Sequence, residues 1–136
     1  MALTKVTANV LADDAISYEK IDNEFTTSSA VTGVSGPTGD VYEIDFDAAQ
    51  IFTFTMGANA GTLNVVNPKI GMTKVIIVNG GGYTMPIDFY LNGSATNGIF
   101  YKISGDYDDS ATAKNFIQII CVSATEFWYS ISQIAS

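Results

Sequence analysis

Between Val41 and Ser132 the chain breaks into eight short runs of apolar and β-branched residues, and the gaps between them are filled mostly by glycine, asparagine, aspartate and serine. The runs are "VYEIDF" (41–46), "QIFTFTM" (50–56), "GTLNVVN" (61–67), "TKVIIVN" (73–79), "YTMPIDFYL" (83–91), "IFYKIS" (99–104), "NFIQIICVS" (115–123) and "EFWYSIS" (126–132). No helix of ordinary length fits between such breaks, so the body of the protein must be built from strands. Ile51, Thr53 and Thr55 alternate with Phe52, Phe54 and Met56, as strands with one buried face do. Segments such as "GANA", "NPKIG", "NGGG" and "NGSATNG" are turn chemistry. Regular spacing of this kind predicts an all-β domain, an eight-stranded antiparallel sandwich of jelly-roll type. Pro86 falls inside one run, which places that strand at an edge or gives it a bend.

Residues 1–39 read differently. Leu3, Val6, Val10, Ile16 and Ile21 form a thin stripe at helical spacing, with Asp13 and Asp14 placed to cap a short helix over "AISYEKI". Such a stripe is too narrow to hold a helix in water by itself. The stretch "TTSSAVTGVSGPTG" (26–39) has the small-residue composition of an extended linker. The expected organisation is therefore an N-terminal docking arm and linker at 1–39 and a β-sandwich at 40–136. Val6, Val10, Ile16, Ile21 and Phe25 are the arm residues expected to bury apolar surface on a neighbouring protein.

A chain of 136 residues supports one sizeable core. Its 14 acidic residues outweigh 6 basic ones for a net charge of -8, a field that repels phosphate backbones and anionic lipid. Nucleic acid and membranes are excluded as expected partners, and the apolar runs fall far short of the ~20 residues of a membrane helix. "VTANVLADDA" after Lys5 is short, interrupted and acidic at its end, unlike an export signal. Cys121 sits in the apolar run "FIQIICV" and reads as inert core packing.

Candidate chemistry is sparse. The chain has no histidine and no arginine, which removes Ser-His and Cys-His pairs and any guanidinium clamp. Asp106, Asp108 and Asp109 in "GDYDDS" could face a cation, but the glycine and the bidentate glutamate of a helix-loop-helix calcium loop are missing. A solvated turn is the better reading, and no metal or cofactor is expected. A carboxylate pair such as Asp45 with Asp47, two apart on one strand, is formally open to glycoside chemistry, but nothing near it in the sequence points to a raised pKa. "GGGY" (80–83) lacks the lysine of a phosphate loop. Tyr83, Tyr90, Tyr107 and Trp128 are the aromatic candidates for a ligand platform or a subunit interface.

The order of "VLADDAISYEKIDNEFTTSSAV", "IDFDAAQIFTFTMGANAGTLNVVN", "ISGDYDD", "NFIQIICV" and "EFWYSISQ" resembles a bacteriophage structural module of tail-fibre-like and capsid-decorating virion proteins. The resemblance runs from about Leu3 to Gln133 and contains no catalytic motif. It implies a non-enzymatic homotrimeric β-domain on the surface of a phage particle, docked by its N-terminal arm on capsid or tail subunits. A single arm leading to a single domain favours a short fibre or decoration (cement) protein; the alternative is a receptor- or glycan-binding fibre tip.

Overall fold

The computed structural model describes residues 23–36, 39–57, 61–83 and 87–134. They form one helical turn, α1 (Asn23–Thr26), and ten strands: β1 (Ser28–Ala30), β2 (Val34–Gly36), β3 (Gly39–Asp45), β4 (Ile51–Thr55), β5 (Gly61–Val66), β6 (Thr73–Asn79), β7 (Ile87–Leu91), β8 (Ile99–Ser104), β9 (Lys114–Cys121) and β10 (Glu126–Gln133). Two sheets face each other, one ordered β1-β4-β6-β9-β10-β8 and the other β2-β3-β5-β7.

From β3 to β8, consecutive strands lie in opposite sheets. A strand therefore finds its neighbour one coil later, and these pairs are parallel: β1 with β4, β4 with β6, β3 with β5 and β5 with β7. The chain winds as a flattened parallel β-solenoid of about four turns. Ser28, Ile51 and Val75 stand side by side in successive coils, 23 and then 24 residues apart (51 − 28 and 75 − 51).

This corrects the expected antiparallel jelly-roll sandwich of eight strands. The strands are where the alternation put them, but "NPKIG" and "NGGG" are corners between layers, not hairpin turns within one. A period of two reports that one face is buried and is silent about which strand lies alongside. Parallel strands need a long crossover, and here each crossover is itself a strand of the other sheet. The expected helix over "AISYEKI" lies outside the described residues. Thr26–Gly39, read as a linker, contributes β1 and β2, so chain on both sides of residue 30 is woven into the sheets. After Pro86, β7 forms an edge of the four-stranded sheet.

The core is the slab between the layers. Tyr42, Ile44, Phe46, Leu63, Val65, Phe89 and Leu91 point inward from one sheet and meet Phe52, Phe54, Ile76, Val78, Ile117, Ile119, Phe127 and Tyr129 from the other. Each fully buried side chain of this size contributes about 1.5–3 kcal/mol. Rings stitch the last coil to the rest: Phe100 of β8 stacks on Phe89 of β7 at 4.9 Å and on Phe127 of β10 at 4.7 Å.

One departure from the coil lies in the six-stranded sheet. β8 returns to that layer but does not pair with β6; the antiparallel hairpin β9–β10 fills the space between them. To reach β9 the chain must cross the end of β10. Gly105 makes that crossing with φ +80°, where an added Cβ would overlap the Ile131 carbonyl. Farther on, fully buried Asn115 pins the crossing loop: its Oδ1 accepts from the Asp108 N–H at 2.8 Å and its Nδ2 donates to the Asp108 carbonyl at 2.8 Å.

Gly93 has the same φ of +80°, but open space where a Cβ would go. Gly93→Ala is expected to cost only the left-handed backbone term, about 1 kcal/mol. Gly105→Ala adds a backbone overlap and is expected to cost at least about 2 kcal/mol. Urea unfolding of the two variants checks this; equal midpoints would remove the crossing constraint.

Candidate functional site

The alternation that sends Ile76, Ile117, Ile119, Phe127 and Tyr129 inward turns their neighbours to the outside of the six-stranded sheet. Register aligns these neighbours into rows. Thr73, Ile120, Trp128 and Tyr101 form one row across β6, β9, β10 and β8. Val75, Gln118 and Ser130 form a second, and Ile77, Phe116 and Ser132 a third. β4 extends the last two with Ile51 and Thr53.

Half of this surface is apolar although it faces solvent. Ile99, Tyr101, Ile103 and Trp128 are 53%, 53%, 65% and 44% exposed. The β10–β8 register shifts between Tyr129 and Ser130, and Ile103 borders a hollow of about 180 Å³ with Thr73, Gln118, Ile120, Trp128 and Ser130. Among the described residues, Lys114 and Glu126 alone bring charge to this face, at opposite ends of the strands. The Trp128 Nε1 donates to Glu126 Oε1 at 2.8 Å, which ties the indole to the sheet.

Of the four predicted aromatics, Trp128 belongs to this face and the others do not join it. Tyr90 lies half-buried on the far side of the molecule, opposite Asn64 in the four-stranded sheet. Tyr83 follows the Gly80–Gly82 turn, its N–H donating to the Gly80 carbonyl at 3.2 Å. Tyr107 packs against the core. Val6, Val10, Ile16 and Ile21 lie outside the described residues, and Phe25, within α1, is 52% exposed. Sequence reasoning missed Ile99, Tyr101, Ile103, Phe116 and Ile120 as site residues. Their signal was present: "IFYKIS" and "NFIQIIC" carry apolar residues in both phases of the alternation, more than one buried face requires.

A second concavity opens beside α1, a cleft of about 600 Å³ bordered by Phe25, Gln50, Lys69, Ile70 and Met72. At its side Lys74 shares the inward phase of Ile76 and Val78 and is fully buried. Its ammonium lies 5.5 Å from the Phe25 ring centroid and 5.8 Å from that of Phe46. Ring faces offset part of the desolvation of a buried cation.

The acidic turn does not converge on a cation. Asp106 pairs with Lys102 at 2.6 Å, and that bond and charge hold its carboxyl below the ordinary aspartate range. Asp108 accepts from the Ser110 hydroxyl at 2.7 Å and from the Ser110 N–H at 2.9 Å, which lowers it as well. Among the described residues no group of three or more acidic or cysteine side chains is arranged to hold a metal. The other carboxylate pair is divided by the end of a strand: β3 stops at Asp45, and Asp47 lies in the following turn. Asp45 accepts from the Asp47 N–H at 3.0 Å and from Asn67 Nδ2 at 2.9 Å, while Asp47 pairs with Lys69 at 2.7 Å. Cys121 is fully buried and its thiol donates to the Ser123 carbonyl at 3.1 Å; burial pushes the thiol up and disfavours the reactive thiolate.

Searched against models of protein families, curated proteins and solved structures, the chain matches none. Its functional reading therefore rests on its own residues and the resemblance stated above.

Tyr107 generates a pH prediction. Burial first, then the charge of Asp109, pushes its phenol up to about 12, and its buried hydroxyl has no hydrogen-bond partner among the described residues. In the unfolded chain the phenol ionises near pH ~10, so the unfolded state loses its proton first. Stability from this group is complete below pH ~10 and is lost as pH rises toward 12. Urea midpoints measured from pH 9 to 11 should fall, and Tyr107→Phe should flatten the fall and remove a late-ionising phenol from the ultraviolet titration.

Proposed function

We propose that this chain is a non-enzymatic structural protein of a bacteriophage particle, a short trimeric fibre unit or capsid decoration protein. It docks on capsid or tail subunits through the apolar residues of its N-terminal segment, Val6, Val10, Ile16, Ile21 and Phe25. The observation that carries the reading is the solenoid body. A single slab core locked by parallel pairing between successive coils makes a stiff unit, and its broad outer face is suited to contact with other protein. Such bodies fit fibre-like proteins. Net charge of -8 supports a partner that is protein rather than nucleic acid or membrane.

Mass spectrometry of purified particles from the phage genome encoding this chain is expected to find it in the virion. Because β1 and β2 belong to the fold, the informative truncation begins at Asn23 rather than Gly39. That chain should keep the β-rich circular dichroism spectrum of the full chain and fail to bind particles lacking the protein, whereas the full chain binds. Equal binding by both would remove the docking role of residues 1–22.

A second reading, a glycan-binding fibre tip, is favoured by one observation: Trp128 and Tyr101 are register partners and both exposed on one face, as a sugar-stacking platform requires. A glycan array in which binding is lost on Trp128→Ala would support it; an array without hits would end it.

A further inference from the structure

We propose that the outer face of the six-stranded sheet is the surface on which copies of this chain pack against one another. The inference deepens the trimeric reading above and rests on it, adding the location of the interface.

Three observations carry it. The first is area. At 44–65% exposure, Ile99, Tyr101, Ile103 and Trp128 alone leave on the order of 400 Å² of largely apolar surface, comparable to the largest patch on an ordinary monomer. The half-buried Ile51, Val75, Ile77, Phe116 and Ile120 continue that surface across β4, β6 and β9. The whole face approaches the ~800 Å² per partner of a stable interface.

The second is charge, and it selects the occupant. Two copies of a chain with net charge -8 repel unless they meet where the acids are not. Among the described residues this face offers Glu126 as its one acid and Lys114 as its one base, at opposite ends of β10 and β9. A basic protein partner would instead call for carboxylates here, and the chain places them on the other surfaces. The third is shape. Short Thr and Ser side chains between the larger ones, as at Thr53, Thr73, Ser130 and Ser132, leave a sheet face that a second sheet can approach at ~10 Å.

Trp128 is the only tryptophan, so its fluorescence reports on this face directly. Light scattering after size exclusion, run as a dilution series on the full chain, is expected to show a multimer whose dissociation shifts Trp128 emission to longer wavelength. Tyr101→Lys and Ile103→Lys alter side chains exposed on the single chain, so the fold should persist by circular dichroism. Each should raise the dissociation constant at least ~30-fold, the scale of an interface hot spot. Glu43→Lys, on the outside of the four-stranded sheet, should leave association unchanged. A multimer that resists both lysine variants, or one whose Trp128 stays as quenchable by acrylamide as in the dissociated chain, overturns the face while leaving self-assembly in place. A monomer at every concentration overturns both.

Discussion

The slab of side chains between the two sheets is the interaction on which the rest of this molecule depends. In a sandwich of hairpins each sheet can begin to form from neighbouring segments. Here the partners of β4 and β6 are joined through β5, and β5 belongs to the other layer. Neither sheet can extend by a coil unless the other does, so the hydrogen-bond ladders and the apolar core form together. The rings of Phe89, Phe100 and Phe127 serve this coupling at the last coil, where β8 is separated from β6 by two inserted strands and the ladder alone cannot hold it.

That insertion has its own polar requirements. A loop leaving β8 must pass the end of β10 before entering β9, which places backbone close to backbone at Gly105 and Ile131. The peptide groups of that loop lie beyond the sheet ladders and take partners from elsewhere. Asn115 meets this need with both ends of its amide, bonding the N–H and the carbonyl of Asp108 while Gln133 Nε2 donates to its Oδ1 at 3.1 Å. The Asn115 amide is itself fully buried, and leaving it without these partners would cost about 1–3 kcal/mol. The acids around it, Asp106 and Asp108, are used locally, one by Lys102 and one by Ser110.

How much of this was legible in the sequence differs by kind of signal. Strand positions followed from alternation, because Phe52, Phe54, Ile76 and Val78 must share a buried side. Pro86 in the run pointed to an edge or a bend, and β7, which begins at Ile87, lies at an edge. Pairing was not legible. "NPKIG" and "NGGG" look alike whether they close a hairpin or turn a corner, and nothing local tells β4 that its neighbour is β6 rather than β5. The buried lysine was open to inference from phase, since Lys74 stands two residues before Ile76 and four before Val78. Its setting between Phe25 and Phe46 was not, because Phe46 belongs to a different sheet. The candidate face was half legible: Trp128 was singled out as an aromatic, while Tyr101 beside it became visible only through the β10–β8 register.

The same alternation argues for what lies outside the sheet. A layer covered on one side by core and on the other by water would place polar residues in its outward phase, as β3 of the other layer places the exposed Glu43 between buried Tyr42 and Ile44. In β6, β8 and β9 the outward phase instead carries Val75, Ile77, Ile99, Tyr101, Phe116 and Ile120 among its polar members. An acidic chain that keeps this one face nearly free of charge has set its repulsion where it holds particles apart in solution and withheld it where a second sheet would have to come close.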